Sequence, residues 1–118
     1  MTHDGTANDA APLRRFGEAL QHFRSQTSPA VPSQVVQAFA AVAADEGKIL
    51  SDYAAMLGSN LSTASRHFLA LTDRSLADFT GHGLVVAREI PHDLRQKGFW
   101  LTERGQQLRD EMAAILNG

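Results

Sequence analysis

Apolar residues recur at helical spacing along most of this chain, with polar residues filling the gaps. From Pro12 onward, Leu13, Phe16, Leu20 and Phe23 fall every three or four positions, with Ala19 beside them and Arg14, Arg15, Glu18 and Arg24 between. That spacing predicts a helix over about residues 12–25. Two prolines in "SQTSPAVPS" interrupt it, and a second helix is expected to start near Pro32, where the missing N–H costs nothing. Its stripe is Val31, Val35, Phe39 and Val42, and it stops at Asp45-Glu46-Gly47. "KIL" is long enough only for a sheet edge. Ser51 then reads as an N-terminal cap, with Asp52 in the first turn of a short helix ending at Leu57 and closed by Gly58.

A turn at Ser59-Asn60 leads into a further helix from about Leu61. At 100° per residue, Leu61, Ala64, Phe68 and Leu71 gather on one face, while Ser62, Thr63, Arg66 and His67 project from the other. Small Ala54 suits a close crossing of the two helices, and Gly58 suits a left-handed helix end. Hydroxyls, a guanidinium and an imidazole on one face are suited to base edges and phosphates in a major groove. The plain alternative is that any amphipathic helix has a polar face.

The period then changes. Leu84 to Ile90 and Lys97 to Leu101 are rich in branched and aromatic residues and flank a polar tip, "PHDLRQ", so a hairpin is expected. An arginine at such a tip, Arg95, can enter a minor groove, where focused negative potential attracts it. Asp93, two residues earlier, would hold Arg95 in place from within the turn, and Lys97 follows as a second cation. The competing reading is a solvated surface ion pair worth at most about 1 kcal/mol. Trp100 is expected in the core rather than as a stacking platform. Thr102 caps the last helix, "ERGQQLRDEMAAIL", with Glu103 in its first turn.

Composition narrows the class. A chain of 118 residues that is 43% hydrophobic and 20% charged is expected to form one soluble domain, here over 12–118, behind a flexible tail over 1–11. No apolar run reaches the roughly 18 residues of a membrane span, and "MTHDGTANDAAP" lacks the apolar core of a secretory signal. Cytoplasmic placement is expected. Without cysteine there is no disulfide, thiolate zinc site or cysteine nucleophile. The net charge of −2 argues against indiscriminate binding to polyanions. Any cationic surface must therefore arise from geometry, with the acids turned elsewhere.

With these residues set out, a resemblance becomes specific. "LSDYAAMLGSNLSTASRHFLAL", then "GLV", then "DLRQKGFWLTERG" resembles the winged-helix regulators of the MarR (multiple antibiotic resistance regulator) family. In that family a helix-turn-helix precedes G-L-V, a wing with D-x-R, and L-T-x-x-G opening the next helix. The similarity runs over about residues 32–110, and Asp93, Arg95, Leu101, Thr102 and Gly105 carry its most specific block. It implies a mainly α fold with a small β-hairpin wing (α+β; winged helix-turn-helix). It places Ser62, Thr63, Arg66 and His67 on the recognition helix, makes Arg95 the wing arginine and Asp93 its supporting acid. A homodimer on a palindromic double-stranded DNA operator, acting as a repressor, is the implied function. Members commonly bind aromatic or phenolic effectors between their dimerisation and DNA-binding regions; these residues do not locate such a pocket.

The chain also departs from the family. About eight extra residues, within "TDRSLADFTGH", precede Gly83. They are expected either to lengthen the recognition helix by about two turns or to form a separate short helix with Leu76 and Phe79 inward. Ser59 stands where an apolar turn residue is usual. Dimerisation would rest on helix 12–25, the last helix or the extra segment. The alternative function is a winged-helix protein-interaction module, an antirepressor or assembly factor, that does not read DNA. Leu69, near the polar side of its helix, favours that alternative.

No metal site is expected, since His3, His22, His67, His82 and His92 form no H-x-H or H-x-x-x-H pair. No catalytic residue or cofactor is expected either. G-x-S-x-G, the P-loop and the dinucleotide fingerprint are missing, and Ser65 and His67, two apart on a helix, do not face each other.

Overall fold

The computed structural model describes the backbone of residues 3–76 and 79–118 and the side chains of 10–74 and 81–118. Five helices, α1 (His3–Gln26), α2 (Ser33–Ala44), α3 (Leu50–Met56), α4 (Leu61–Leu71) and α5 (Glu103–Asn117), frame two antiparallel ribbons. The ribbons are β1 (Ser75–Leu76) with β2 (Phe79–Thr80), and β3 (Val85–Ile90) with β4 (Asp93–Leu101). Among the described residues no helix is long and apolar enough to cross a membrane.

The stripe predicted for α2 is the centre of the core: Val31, Val35, Phe39 and Val42 are all buried. Phe23 of α1 meets Phe39 with ring centroids 5.3 Å apart. On the other side, Tyr53 stacks on Phe68 at 5.3 Å, and Phe99 meets Phe68 edge-on at 5.0 Å. These three rings tie α3, α4 and β4 into one body, and aromatic pairs at such distances add about 0.5–1.5 kcal/mol beyond the area they bury. The Tyr53 hydroxyl donates to the Asp45 carbonyl at 2.6 Å, so the buried ring keeps its polar end satisfied.

Thr102 caps α5 as its sequence position predicts, accepting from the Gly105 N–H at 3.0 Å. Gly105 is needed for a different reason. A Cβ there would lie 2.1 Å from the Leu84 carbonyl oxygen, so α5 can approach the root of the wing only without one. "KIL" behaves as the expected edge: Ile49 bridges Gly98.

Several expectations are corrected. α1 begins at His3, with Pro12 inside it, rather than near residue 12. Ser51 is not a cap; Ile49 occupies the N-cap position of α3 with no side-chain bond. Leu61 does not join the core. It is 54% exposed, because the first turn of α4 overhangs the body and only Ala64, Phe68 and Leu71 reach inward. Leu13 and Phe16, predicted on the inward stripe of α1, are exposed as well, since among the described residues nothing covers that end of the helix.

The extra segment takes neither expected form. α4 stops at Leu71, and the chain makes a two-stranded ribbon, Ser75 pairing with Thr80 and Leu76 with Phe79. It then returns through Gly83 N–H to Thr72 C=O at 3.0 Å and Leu84 N–H to Leu71 C=O at 2.8 Å. The inward placement expected for Leu76 and Phe79 lies outside the described side chains. Trp100 is half-buried on the outer face of the wing, against the backbone of Gly47 and Gly98, and its neighbour Phe99 supplies the core contact.

Candidate functional site

α4 stands proud of the core because its apolar positions are only three deep. Its start is set by Asn60, whose Oδ1 accepts from the Thr63 N–H at 2.7 Å and satisfies a donor that the first turn would otherwise leave open. Behind it Gly58 takes the expected left-handed conformation at φ +64°.

Two clefts flank the helix. The first, about 490 Å³, separates it from α2, with Gln34 and Gln37 on one wall and Thr63, Arg66 and His67 on the other. The second, about 330 Å³, separates it from the wing; Ser65 and Leu69 face Ala87 and Lys97 over a floor that includes Phe68 and Phe99. No carboxylate side chain lines either cleft. Four acids are engaged elsewhere: Asp45 on Lys48, Asp110 on Arg109, Glu111 on His22, and Glu46 on the Leu101 N–H. Among the described residues neither Arg66 nor Lys97 forms an ion pair. Glu89 is the cross-strand partner of Lys97 in the ladder, but the two side chains make no such contact either.

The predicted site residues thus fall into four places. Thr63, Arg66 and His67 share the α2 cleft, Lys97 lies in the wing cleft, and Arg95 sits apart at the wing tip. Ser62 is exposed on the crest between the clefts. Leu69, which looked misplaced on a polar face, is half-buried in the wall of the wing cleft. His67 is held below the ordinary imidazole pKa by burial and then by the neighbouring Arg66 charge, so at neutral pH its ring offers a hydrogen bond rather than a charge.

The wing tip differs from the six-residue loop that its composition suggests. β3 and β4 are joined by Pro91-His92 alone, with Ile90 opposite Asp93. The ladder resumes only at Glu89 opposite Lys97, so Leu94, Arg95 and Gln96 bulge from β4. Bulges re-aim side chains, and this one turns Arg95 out until its side chain is 93% exposed. Asp93 organises the bulge. One oxygen accepts from the Arg95 N–H at 3.2 Å and lies 3.4 Å from Nε, and the other accepts from Gln96 Nε2 at 3.0 Å. The Gln96 and Arg95 donors keep its carboxyl below the usual range. Its strongest bonds are thus to Gln96 and the Arg95 backbone, with the guanidinium held more loosely.

Gln34, Gln37 and Ser65 were not singled out from sequence. The two glutamines lie one turn apart on the outer side of α2, a signal that becomes visible only when α2 is laid against α4.

Comparison with protein-family models finds no match, and no curated protein matches the sequence. Solved structures do match. A MepR–DNA complex from S. aureus superposes with a TM-score of 0.69 at 16% identity over 98% of this chain and 84% of that one. The transcriptional repressor CouR, bound to a 23-mer DNA duplex, gives 0.62 at 23% identity over 96% and 72%. A MarR-like transcriptional regulator from Thermotoga maritima gives 0.63 at 22% over 89% and 72%. The helix-turn-helix, the bulged hairpin and the flanking helices described above therefore constitute the winged helix-turn-helix fold of MarR-type regulators.

Proposed function

We propose that the chain is a sequence-specific double-stranded DNA-binding transcriptional regulator, a repressor that acts in the cytoplasm as a homodimer. The observation that carries this reading is the polar part of the lining of the clefts beside α4: cations, hydroxyls and amides beside apolar side chains, with no carboxylate, on a chain that is acidic overall. α4 would lie in the major groove, with Arg66 and Ser62 toward base edges and Thr63 and His67 as hydrogen-bonding neighbours. Arg95 would enter the adjoining minor groove, with Asp93 keeping its bulge in shape, and Lys97 would meet the backbone. MepR and CouR, which share the fold, were solved on DNA.

Dimerisation is supported by the exposed apolar side chains of α1 and α5. Phe16 and Leu116 border an apolar groove of about 390 Å³ between α1, α2 and α5, and Leu13 is exposed on the same helix as Phe16. A second copy covering that face would present two α4 helices to successive major grooves. The unmasked cations beside α4 favour the duplex reading over a protein-docking module that does not read DNA.

Selection from random duplex DNA tests the proposal. A palindrome with half-sites about one helical turn apart should be enriched. Arg66→Ala should relax its base preference and cost about 1–3 kcal/mol if the contact is bidentate to guanine. No enriched sequence at moderate salt, or equal affinity for the wild type and an Arg66→Ala/Arg95→Ala double variant, would remove it.

A further inference from the structure

Arg74 belongs to the extra segment after α4, yet its side chain lines the cleft between α4 and the wing, where Lys97 also stands. The backbone there is pinned from both sides. The Arg74 N–H donates to Thr72 Oγ1 at 3.4 Å, that hydroxyl donates to the Leu69 carbonyl at 2.9 Å, and the Arg74 carbonyl accepts from the Gly81 N–H at 2.9 Å. Gly81 makes this closure possible, since a Cβ on it would fall 1.8 Å from the Thr72 carbonyl oxygen. The ribbon of β1 and β2 thus leaves and returns at one point, and Arg74 is held at its root.

Lys97 is fixed by the sheet. It shares a face of β4 with Phe99, whose ring packs on Phe68, so its stem emerges over the same cleft. The floor contains Phe68 and Phe99, and an apolar floor strengthens the field of cations above it. Of the nearby acids, neither Asp73 nor Glu89 lines the cleft.

We propose that Arg74 and Lys97 hold a single backbone phosphate of the duplex between them, so that the extra segment adds a DNA contact of its own. This rests on the regulator reading above. If α4 occupies the major groove and the wing tip the minor groove, the sugar-phosphate strand that divides the two grooves must cross the cleft between them. The group presented there is a phosphodiester, and an arginine fork with a lysine is suited to it.

The test uses the selected duplex, read by salt titration and by single methylphosphonate substitutions stepped along its backbone. Arg74→Ala and Lys97→Ala should each lower the slope of log affinity against log salt by about one, and Arg74→Lys should retain it. One methylphosphonate position should abolish the further loss caused by either variant. Arg74→Ala should leave the thermal midpoint unchanged, because the side chain is exposed. Wild-type affinity and slope in Arg74→Ala, alongside a defect in Arg66→Ala, would overturn the phosphate clamp and leave the regulator reading standing. Losses that map to two different phosphates would also overturn it. A wild-type chain that binds no duplex would sink both.

Discussion

The apolar stripe of α4 is buried from Ala64 to Leu71, whereas that of α1 is buried only at Ala19 and Phe23, leaving Leu13 and Phe16 70% and 61% exposed. By spacing alone the two helices read alike. They differ in what stands opposite. α4 meets Tyr53 and Phe99 and so is anchored within the chain, with its polar face left free. Toward its start, α1 presents apolar side chains that nothing among the described residues covers. An uncovered apolar stripe calls for another apolar surface, while a hydrated crest flanked by cations calls for a polyanion. The molecule therefore offers two unlike surfaces, and under the proposed function one would take a second copy and the other a duplex.

Breaking the first surface should have the larger consequence. Phe16→Asp should leave the fold intact, because the ring is exposed, and convert a dimer to a monomer in sedimentation. Operator affinity should then fall by about 10²–10⁴-fold, because two linked half-site contacts become one. A variant that remains dimeric with full affinity would place the interface elsewhere. Next comes the anchor of α4. Phe68→Ala should lower the free energy of unfolding by about 3–5 kcal/mol in a urea titration, since the ring is buried against two others. A loss below about 1 kcal/mol would mean the aromatic trio contributes little beyond surface packing. The smallest effect belongs to the helix start. Asn60→Ala should cost about 1 kcal/mol and weaken DNA binding, by fraying the turn that carries Ser62 and Thr63. Unchanged stability would show that water replaces the Asn60 carboxamide without loss.

Much of this architecture was legible in the residues. The stripe of α2, the Thr102 cap and the Gly58 turn follow from local rules, and each is where spacing put it. What local rules miss is the arrangement of neighbours. Spacing put Leu61 inward because its angle is right; the structure leaves it out because the core ends one turn later. Ser51 has the chemistry of a cap, but the helix already starts at Leu50, with Ile49, bridged to Gly98, at the N-cap position. The segment's length suggests a helix, whereas the Gly81 N–H bonds the Arg74 carbonyl and closes it into a ribbon. Ser62, Thr63, Arg66, His67, Asp93, Arg95 and Lys97 are singled out by sequence, and their functional role is part of the proposal. That Lys97 faces one cleft and Arg66 the other was not legible there, because it depends on which side of α4 the wing packs. Arg74 was hidden for the same reason.

The most direct measurement is chemical-shift mapping of the full chain titrated with its selected duplex. Perturbations should appear over Leu61 to His67 of α4 and His92 to Lys97 of the wing, with Leu13 and Phe16 of α1 unaffected. Perturbations confined to α1 and α5, with α4 and the wing silent, would contradict it.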